Sequence, residues 1–218
     1  MLTKSPIVGV RQNCLKALIS VIDSRRVVTE SEVLTIFETL ANDNAPEVIQ
    51  LLYKLVDCSI WNHPSGKPTI SLALAEATFK LTNRVVQERN QEMVDMVAKA
   101  AFITLNQMVN LEDVRLIPQI GECTRALLRI TDISRKLDKS VITGILNKLA
   151  KFNPEFLAQV VREDFVIDNQ VLPVANLCAT AIAIVHDQGK NAPLLDDILN
   201  DERLPEDVKS RILRERGV

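Results

Sequence analysis

Apolar residues recur every three or four positions along most of this chain, and polar residues fill the positions between them. Val33, Phe37 and Leu40, for example, would share one face of a helix, because a helix turns once in about 3.6 residues. Stretches that alternate strictly between apolar and polar residues, as half-buried strands do, are missing from the sequence. The pattern therefore predicts an all-α protein.

Several predicted helices are preceded by the same start signal, a Thr or Asn followed closely by Pro or Glu. A side-chain oxygen at the cap accepts a hydrogen bond from a free backbone N–H group of the first turn, and Pro has no N–H to leave unpaired there. We expect Glu32 and Glu47 to bond back to their caps, as Glu does in a capping box. The predicted caps are Thr29, Asn44, Asn153 and Asn191.

The pattern predicts about ten helices, some of them short. Two prolines and a glycine between Pro64 and Pro68 predict a loop that ends the third helix. Pro118 and Gly121 are predicted to interrupt a later apolar stretch. The longer helices are predicted at about 7–24, 30–41, 45–60, 68–89, 91–109, 118–133, 139–152 and 172–186, and the shorter ones near 112–117, 154–163, 193–200 and 205–216.

Antiparallel helix pairs with short loops predict either an α-solenoid or an irregular helical bundle. The pairs advance by about 35–50 residues, which overlaps known repeat lengths. In this broad sense the chain resembles HEAT or armadillo-type arrays, although no residue signature can be aligned between the pairs, and the resemblance implies no functional residue. We expect one all-helical domain over residues 1–218. In an alternative arrangement, residues 191–218 form a C-terminal helical hairpin that packs only loosely against the rest of this domain. The predicted pairs start near 30 and 45, 68 and 91, 118 and 139, and 154 and 172.

Composition and charge narrow the classes of function. Only 6 Gly are present, which disfavours Gly-rich phosphate loops, and a net charge of −2 gives no field that would attract nucleic acid or an anionic membrane. The longest mostly apolar stretch, 171–185, is short for a membrane span. Free thiols in a reducing cytoplasm are expected, with a two-disulfide framework as the alternative. The cysteines are Cys14, Cys58, Cys123 and Cys178.

The sequence contains no catalytic, cofactor-binding or metal-binding motif. Cys58 is close in sequence to His63, but no Gly-rich turn nearby offers an oxyanion hole. The carboxylate pairs at 196–197 and 201–202, and the basic clusters at 25–26 and 135–139, are typical of charges at helix ends. We therefore predict no catalytic residue, no cofactor and no metal.

A helical array that contains no catalytic or cofactor-binding motif still provides an extended surface on which another molecule can bind. We therefore expect a non-enzymatic adaptor or scaffold that binds another protein, as a subunit of a larger complex; the alternatives are a nucleic-acid-binding helical-repeat protein and an enzyme with dispersed site residues. Prolines restrict the loop at 61–67, Trp is enriched at interface hot spots, and Met adapts to varied partners. The predicted partner-binding residues are Trp61, His63, Lys67, Met93 and Met96.

Overall fold

The computed structural model describes residues 2–24, 28–63, 65–88, 91–131, 139–167, 172–184 and 192–216. Within these ranges it contains eleven α-helices, one 3₁₀ turn at Leu2–Lys4 and no strand, so the prediction of an all-α protein is confirmed. The helices are α1 (Val8–Asp23), α2 (Glu30–Leu40), α3 (Pro46–Trp61), α4 (Leu72–Glu88), α5 (Gln91–Asn110), α6 (Ile117–Ile130), α7 (Lys139–Phe152), α8 (Pro154–Ile167), α9 (Leu172–Ile184), α10 (Ala192–Leu199) and α11 (Glu206–Arg216).

Two of the predicted helix caps are confirmed and one is wrong. Thr29 and Glu32 form the reciprocal capping box at the start of α2, and Asn153 Oδ1 accepts the Phe156 N–H at 3.3 Å at the start of α8. At α3 the cap is Ala45, whose N–H donates to Asp43 Oδ1 at 2.9 Å. Asn44 therefore lies outside that helix, and Glu47 is its second residue, one position too early for a capping box. The predicted cap Asn191 lies outside the described residues.

The predicted start of α4 near Pro68 is wrong by about one turn. Ser71 caps this helix, because its Oγ accepts the Leu74 N–H at 3.2 Å and its carbonyl accepts the Ala75 N–H at 3.0 Å. Ser is a strong N-cap residue, because its hydroxyl oxygen accepts a hydrogen bond from a free backbone N–H group of the first turn. The side chain of Pro68 has no oxygen that could do so.

The predicted short helix at 112–117 and the interruption at Gly121 are also wrong. Residues 111–116 form turns, in which Glu112 has a φ of 56°. Pro118 lies in the first turn of α6, where a missing N–H costs nothing. Gly121 is buried inside the same helix. Pro118 therefore marks the beginning of a helix, not a break in one.

The chain divides into two compact units, Met1–Leu137 and Asp138–Val218. In the first unit, α1, α3 and α5 pack side by side in one layer, while α2, α4 and α6 form a second layer. The layers meet through neighbouring pairs such as α2 with α3 and α5 with α6. The most deeply buried large side chains lie mainly along α3 and α5, and they include Ile49, Leu52, Tyr53, Leu55, Phe102, Leu105 and Met108.

The second unit repeats this two-layer arrangement. Helix α9 packs against both α7 and α11, and α8 packs against α10. Ala, Val, Ile and Cys side chains are buried on several faces of α9. This burial explains why polar residues do not recur at helical spacing along its sequence. The last two helices contribute to this core through Leu195, Ile198, Val208 and Ile212, and the turn between them contributes Leu204.

Consecutive helices therefore alternate between two layers in each unit, which is the packing expected of a helical array. The two helices that start near 118 and 139, which the sequence predicts as one pair, belong to different units. The prediction of one domain over residues 1–218 stays a prediction.

The structure also reveals a signature that occurs once in each unit, an Asp-x-Arg-Leu turn before a Pro-containing helix start, at residues 113–116 and 201–204. In both turns the Asp carboxylate accepts the backbone N–H of the Arg at 3.0 Å and its guanidinium Nη2 at 2.6 Å. The Asp carbonyl accepts the N–H of the Leu, at 2.9 and 3.0 Å. Leu116 and Leu204 are buried. The two turns are about two repeat lengths apart along the chain.

Candidate partner-binding groove

Backbone hydrogen bonds fix the described part of the loop between α3 and α4. The Gly66 N–H donates to the His63 carbonyl at 2.9 Å, which closes a tight turn. Gly66 has a φ of 72°, in the left-handed region that favours glycine. The Thr69 N–H then donates to the Ile60 carbonyl at 3.3 Å and brings the chain back to the end of α3. The turn therefore depends on a glycine that the sequence places two residues after Pro64.

His63 helps to fix this turn through its side chain. Its Nδ1 accepts the backbone N–H of Ser65 at 3.2 Å. The Ser65 Oγ lies 2.8 Å from the same Nδ1 and accepts the Lys67 N–H at 3.4 Å. His63 is half-buried, whereas Lys67 is exposed.

A groove of about 530 Å³ lies beside this loop. Its walls come from the end of α1, the start of α2, the end of α3, the loop and the start of α4. Val33, Ile70 and Leu74 are among its lining residues and are at most 8% exposed, so they form an apolar floor. Trp61 also lines the groove, and its side chain is 57% exposed. We call this feature the Trp61 groove.

Carboxylates of described residues lie at or next to the Trp61 groove. Glu30 lines it, and its Oε1 accepts the Ser71 N–H at 3.0 Å. Asp23 accepts a hydrogen bond at 3.4 Å from Asn62 Nδ2, and Asn62 is a lining residue. The hydrogen bonds that Thr29 donates to Glu32 lower the pKa of that carboxyl. No Lys or Arg is found among the described residues that line this groove.

The structure brings some of the predicted partner-binding residues together and separates others. Trp61 and His63 both line the groove, and Lys67 belongs to the same loop without lining it. Met93 and Met96 lie on α5, which packs against α3, and neither lines the groove. Met93 is only 3% exposed, whereas Met96 is half-buried. The role predicted for the two methionines stays a prediction.

The sequence interpretation missed Glu30, Val33, Ile70 and Leu74 as groove residues. Glu30 has the sequence signature of a first-turn charge, and Val33 and Leu74 have that of ordinary core positions. Nothing in the local sequence indicates that the start of α2 faces the loop after α3. Only the packing of α2 against α3 and α4 brings these residues together.

A second groove, of about 320 Å³, lies between α2 and α4. It is lined by alanines and by charges of both signs, since Glu38 and Glu76 are accompanied by Lys80 and Arg84. Its lining includes no aromatic residue. The two grooves therefore differ in aromatic content and in charge balance, and we call this one the α2–α4 groove.

Three of the residues that the sequence offers as candidates for catalysis have a raised thiol pKa or an ionic partner. Burial, together with Asp23, raises the pKa of the Cys58 thiol to about 12, which disfavours a thiolate nucleophile. Hydrogen bonds from Arg203 lower the pKa of Asp201 to about 2, so this carboxylate stays ionised and paired. Asp197 lies 3.5 Å from Arg162 Nη2. His186 and the basic residues at 25–26 and 135–136 lie outside the described residues.

Two kinds of site, a metal-binding cluster and a membrane span, are missing from the part of the chain that the structure describes. No cluster of three or more His, Cys, Asp or Glu residues that could hold a metal ion occurs in it. Its helices are all too short or too polar to cross a bilayer. The four cysteines are free thiols, two of them buried and two half-buried.

No protein-family model matches this sequence, and a comparison with curated protein sequences gives no match. Function therefore has to be inferred from the geometry of the Trp61 groove.

Proposed function

We propose that this protein is a non-enzymatic helical adaptor that binds another protein through the Trp61 groove, as a subunit of a larger complex. The main support is one observation: a tryptophan that is 57% exposed stands at the edge of an apolar groove with a floor of buried aliphatic side chains. Tryptophan is among the residues most enriched at interface hot spots, where it fills or borders a pocket.

The energetics favour a binding role for this surface. Covering the exposed part of the Trp61 side chain contributes on the order of 2–4 kcal/mol at about 25 cal/mol per Å² of apolar area. Hydrogen bonds of His63, Ser65 and Gly66 fix the described part of the loop beside it. A partner would therefore bind without ordering a flexible segment, which usually weakens association.

The groups with strongly raised pKa values do not line the groove. Cys58, Asp57 and Tyr53 lie on α3 and Cys123 lies on α6, and burial is the main cause of each shift. None of the four lines the Trp61 groove, whose described lining provides shape and apolar area. This arrangement is the one expected of a binding surface.

The test compares two exposed apolar residues. A partner is captured from native cell extract with the tagged full chain, identified by mass spectrometry and purified, and its affinity is measured by calorimetry. Trp61→Ala should weaken binding at least tenfold, whereas Val114→Ala, at a residue that is 68% exposed and does not line the groove, should leave the affinity unchanged. Equal affinities for both variants and the unmodified protein, with unchanged melting temperatures, would contradict the proposal.

A further inference from the structure

We infer that the partner segment that fills the Trp61 groove is a basic-apolar peptide segment, with a Lys or Arg side chain beside aliphatic ones. This inference rests on the proposed function and adds the chemistry of the partner. It follows from the carboxylates at the groove, the exposed indole of Trp61 and the apolar floor.

One carboxylate lines the groove, two more are hydrogen-bonded to lining residues, and no Lys or Arg is found among the described residues that line it. Glu30 lines it directly, Asp23 is hydrogen-bonded to the lining residue Asn62, and Glu32 is hydrogen-bonded to the lining residue Thr29. The positive end of the α2 dipole is worth about half an elementary charge. Two carboxylates in the first turn of α2, Glu30 and Glu32, outweigh this partial charge.

Glu30 is held in place for such a contact. Its Oε1 accepts the Ser71 N–H at 3.0 Å, which fixes the carboxylate between the starts of α2 and α4. Its Oε2 accepts no hydrogen bond from the residues that the structure describes. A guanidinium or ammonium group can therefore bind this oxygen without displacing the Ser71 bond, and charge-assisted hydrogen bonds are stronger than neutral ones.

Trp61 favours the same kind of side chain. A cation over an indole face within about 6 Å of its centre is attracted by about 0.5–2 kcal/mol. The aliphatic stems of Lys and Arg pack on apolar surface while their charged ends stay near water or a carboxylate. Neighbouring aliphatic residues of the partner would cover the floor formed by Val33, Ile70 and Leu74. An acidic segment would instead meet the like charge of Glu30.

The probe is a library of random twelve-residue peptides, displayed on phage and selected on the full chain. Selected peptides are synthesised with a fluorescent label, and their dissociation constants are measured by anisotropy at about 0.05 and 0.3 M salt. The test variant is Glu30→Gln with Asp23→Asn, which removes two charges and keeps an oxygen to accept from Ser71 and Asn62. The matched control is Glu38→Gln with Glu76→Gln, which removes two charges from the α2–α4 groove.

The inference predicts peptides in which Lys or Arg stands beside Leu, Ile or Val. Their affinity should fall at least fivefold in the test variant and less than twofold in the control, and should weaken at the higher salt concentration. Neutral or acidic peptides that lose affinity in Trp61→Ala but not in the test variant would overturn the inference and leave the groove as a binding site. If no selected peptide depends on Trp61, both this inference and the proposed function fail.

Discussion

Arg11 of α1 and Asp43 of the α2–α3 loop form a two-point ion pair, with Nε to Oδ2 at 2.5 Å and Nη2 to Oδ1 at 3.1 Å. The two side chains are only 15% and 7% exposed. The backbone carbonyl of Asp43 also accepts Arg84 Nη2 of α4 at 3.0 Å, and Arg11 Nη1 donates to the Ser5 carbonyl at 2.7 Å. This cluster ties the N-terminal segment, the α2–α3 loop and α4 together.

We predict that Arg11→Met lowers the free energy of unfolding by about 3 kcal/mol, because it leaves the Asp43 carboxylate buried without its counter-ion. Chemical denaturation at neutral pH measures the change. The matched control is Arg115→Met, which removes the guanidinium from an exposed ion pair with Asp113 and should have a much smaller effect. Equal losses in the two variants would show that burial does not strengthen the Arg11–Asp43 pair.

Asp57 should make the protein less stable as the pH rises. Burial raises the pKa of this carboxyl to about 6, and a hydrogen bond with Thr104 opposes the shift. The unfolded chain ionises first, near pH 4, so the free energy of unfolding should fall between about pH 4 and pH 6. Asp57→Asn should therefore raise stability by on the order of 2 kcal/mol at pH 7 and change it little at pH 4.

The control for Asp57 is Asp201, whose charged form stabilises the fold instead of destabilising it. The pKa of Asp201 is lowered to about 2 by its hydrogen bonds to Arg203, so its contribution is present above pH 4 and is lost as the pH falls toward 2. Asp201→Asn should lower stability at pH 7, and the difference from the unmodified protein should shrink in acid. A stabilising effect of both variants at pH 7 would contradict the assignment for Asp57.

Tyr53 should remain un-ionised for as long as the protein is folded. It is fully buried, and burial raises its pKa well above the ordinary value. Its hydroxyl lies 2.9 Å from Thr82 Oγ1, which itself donates to the Thr78 carbonyl, so Tyr53 is the donor of this pair. Because the chain contains one Tyr, absorbance at 295 nm reports this residue alone. Tyrosinate absorbance that rises before circular dichroism detects unfolding would refute the prediction.

The loop beside the groove offers a separate test of its polar contacts. His63→Ala with Lys67→Ala removes the side chains that the sequence predicts as polar contacts, and we expect it to weaken binding of the identified partner by about three- to tenfold. His63 is half-buried and accepts the Ser65 N–H, so this variant combines loss of contact with loosening of the turn. Lys67→Ala alone serves as the control, because its exposed side chain makes no hydrogen bond in the loop. A double variant that keeps both its melting temperature and its affinity would exclude these polar contacts from the site.

Local sequence determined much of the helical framework. The capping box of Thr29 and Glu32 and the cap of Asn153 depend only on residues within one turn of each helix start. The apolar spacing of Val33, Phe37 and Leu40 correctly marks the buried face of α2. These features could be predicted because their physical causes lie within a few residues of the element that they form.

The segment around Pro118 shows where local interpretation failed in part: the helix start near 118 is predicted correctly, but the short helix at 112–117 and the interruption at Gly121 are wrong. A proline inside an apolar stretch is compatible both with a break and with a helix start, and the turn at Asp113, Arg115 and Leu116 decides between them. The repeated Asp-x-Arg-Leu turn could have been noticed in the sequence, but its meaning depends on the hydrogen bonds that both copies form.

Tertiary structure alone decided the candidate site. Glu30 and Ser71 are 41 residues apart along the chain and become hydrogen-bonded because α2 packs against α4. The raised pKa of Asp57 likewise depends on burial, which is a property of the packed layers and not of its neighbours in sequence. The sequence by itself determined most of the helical segments, because caps and apolar spacing act within a few residues. Which side chains border the Trp61 groove depends on how distant helices pack, and only the folded chain establishes those contacts.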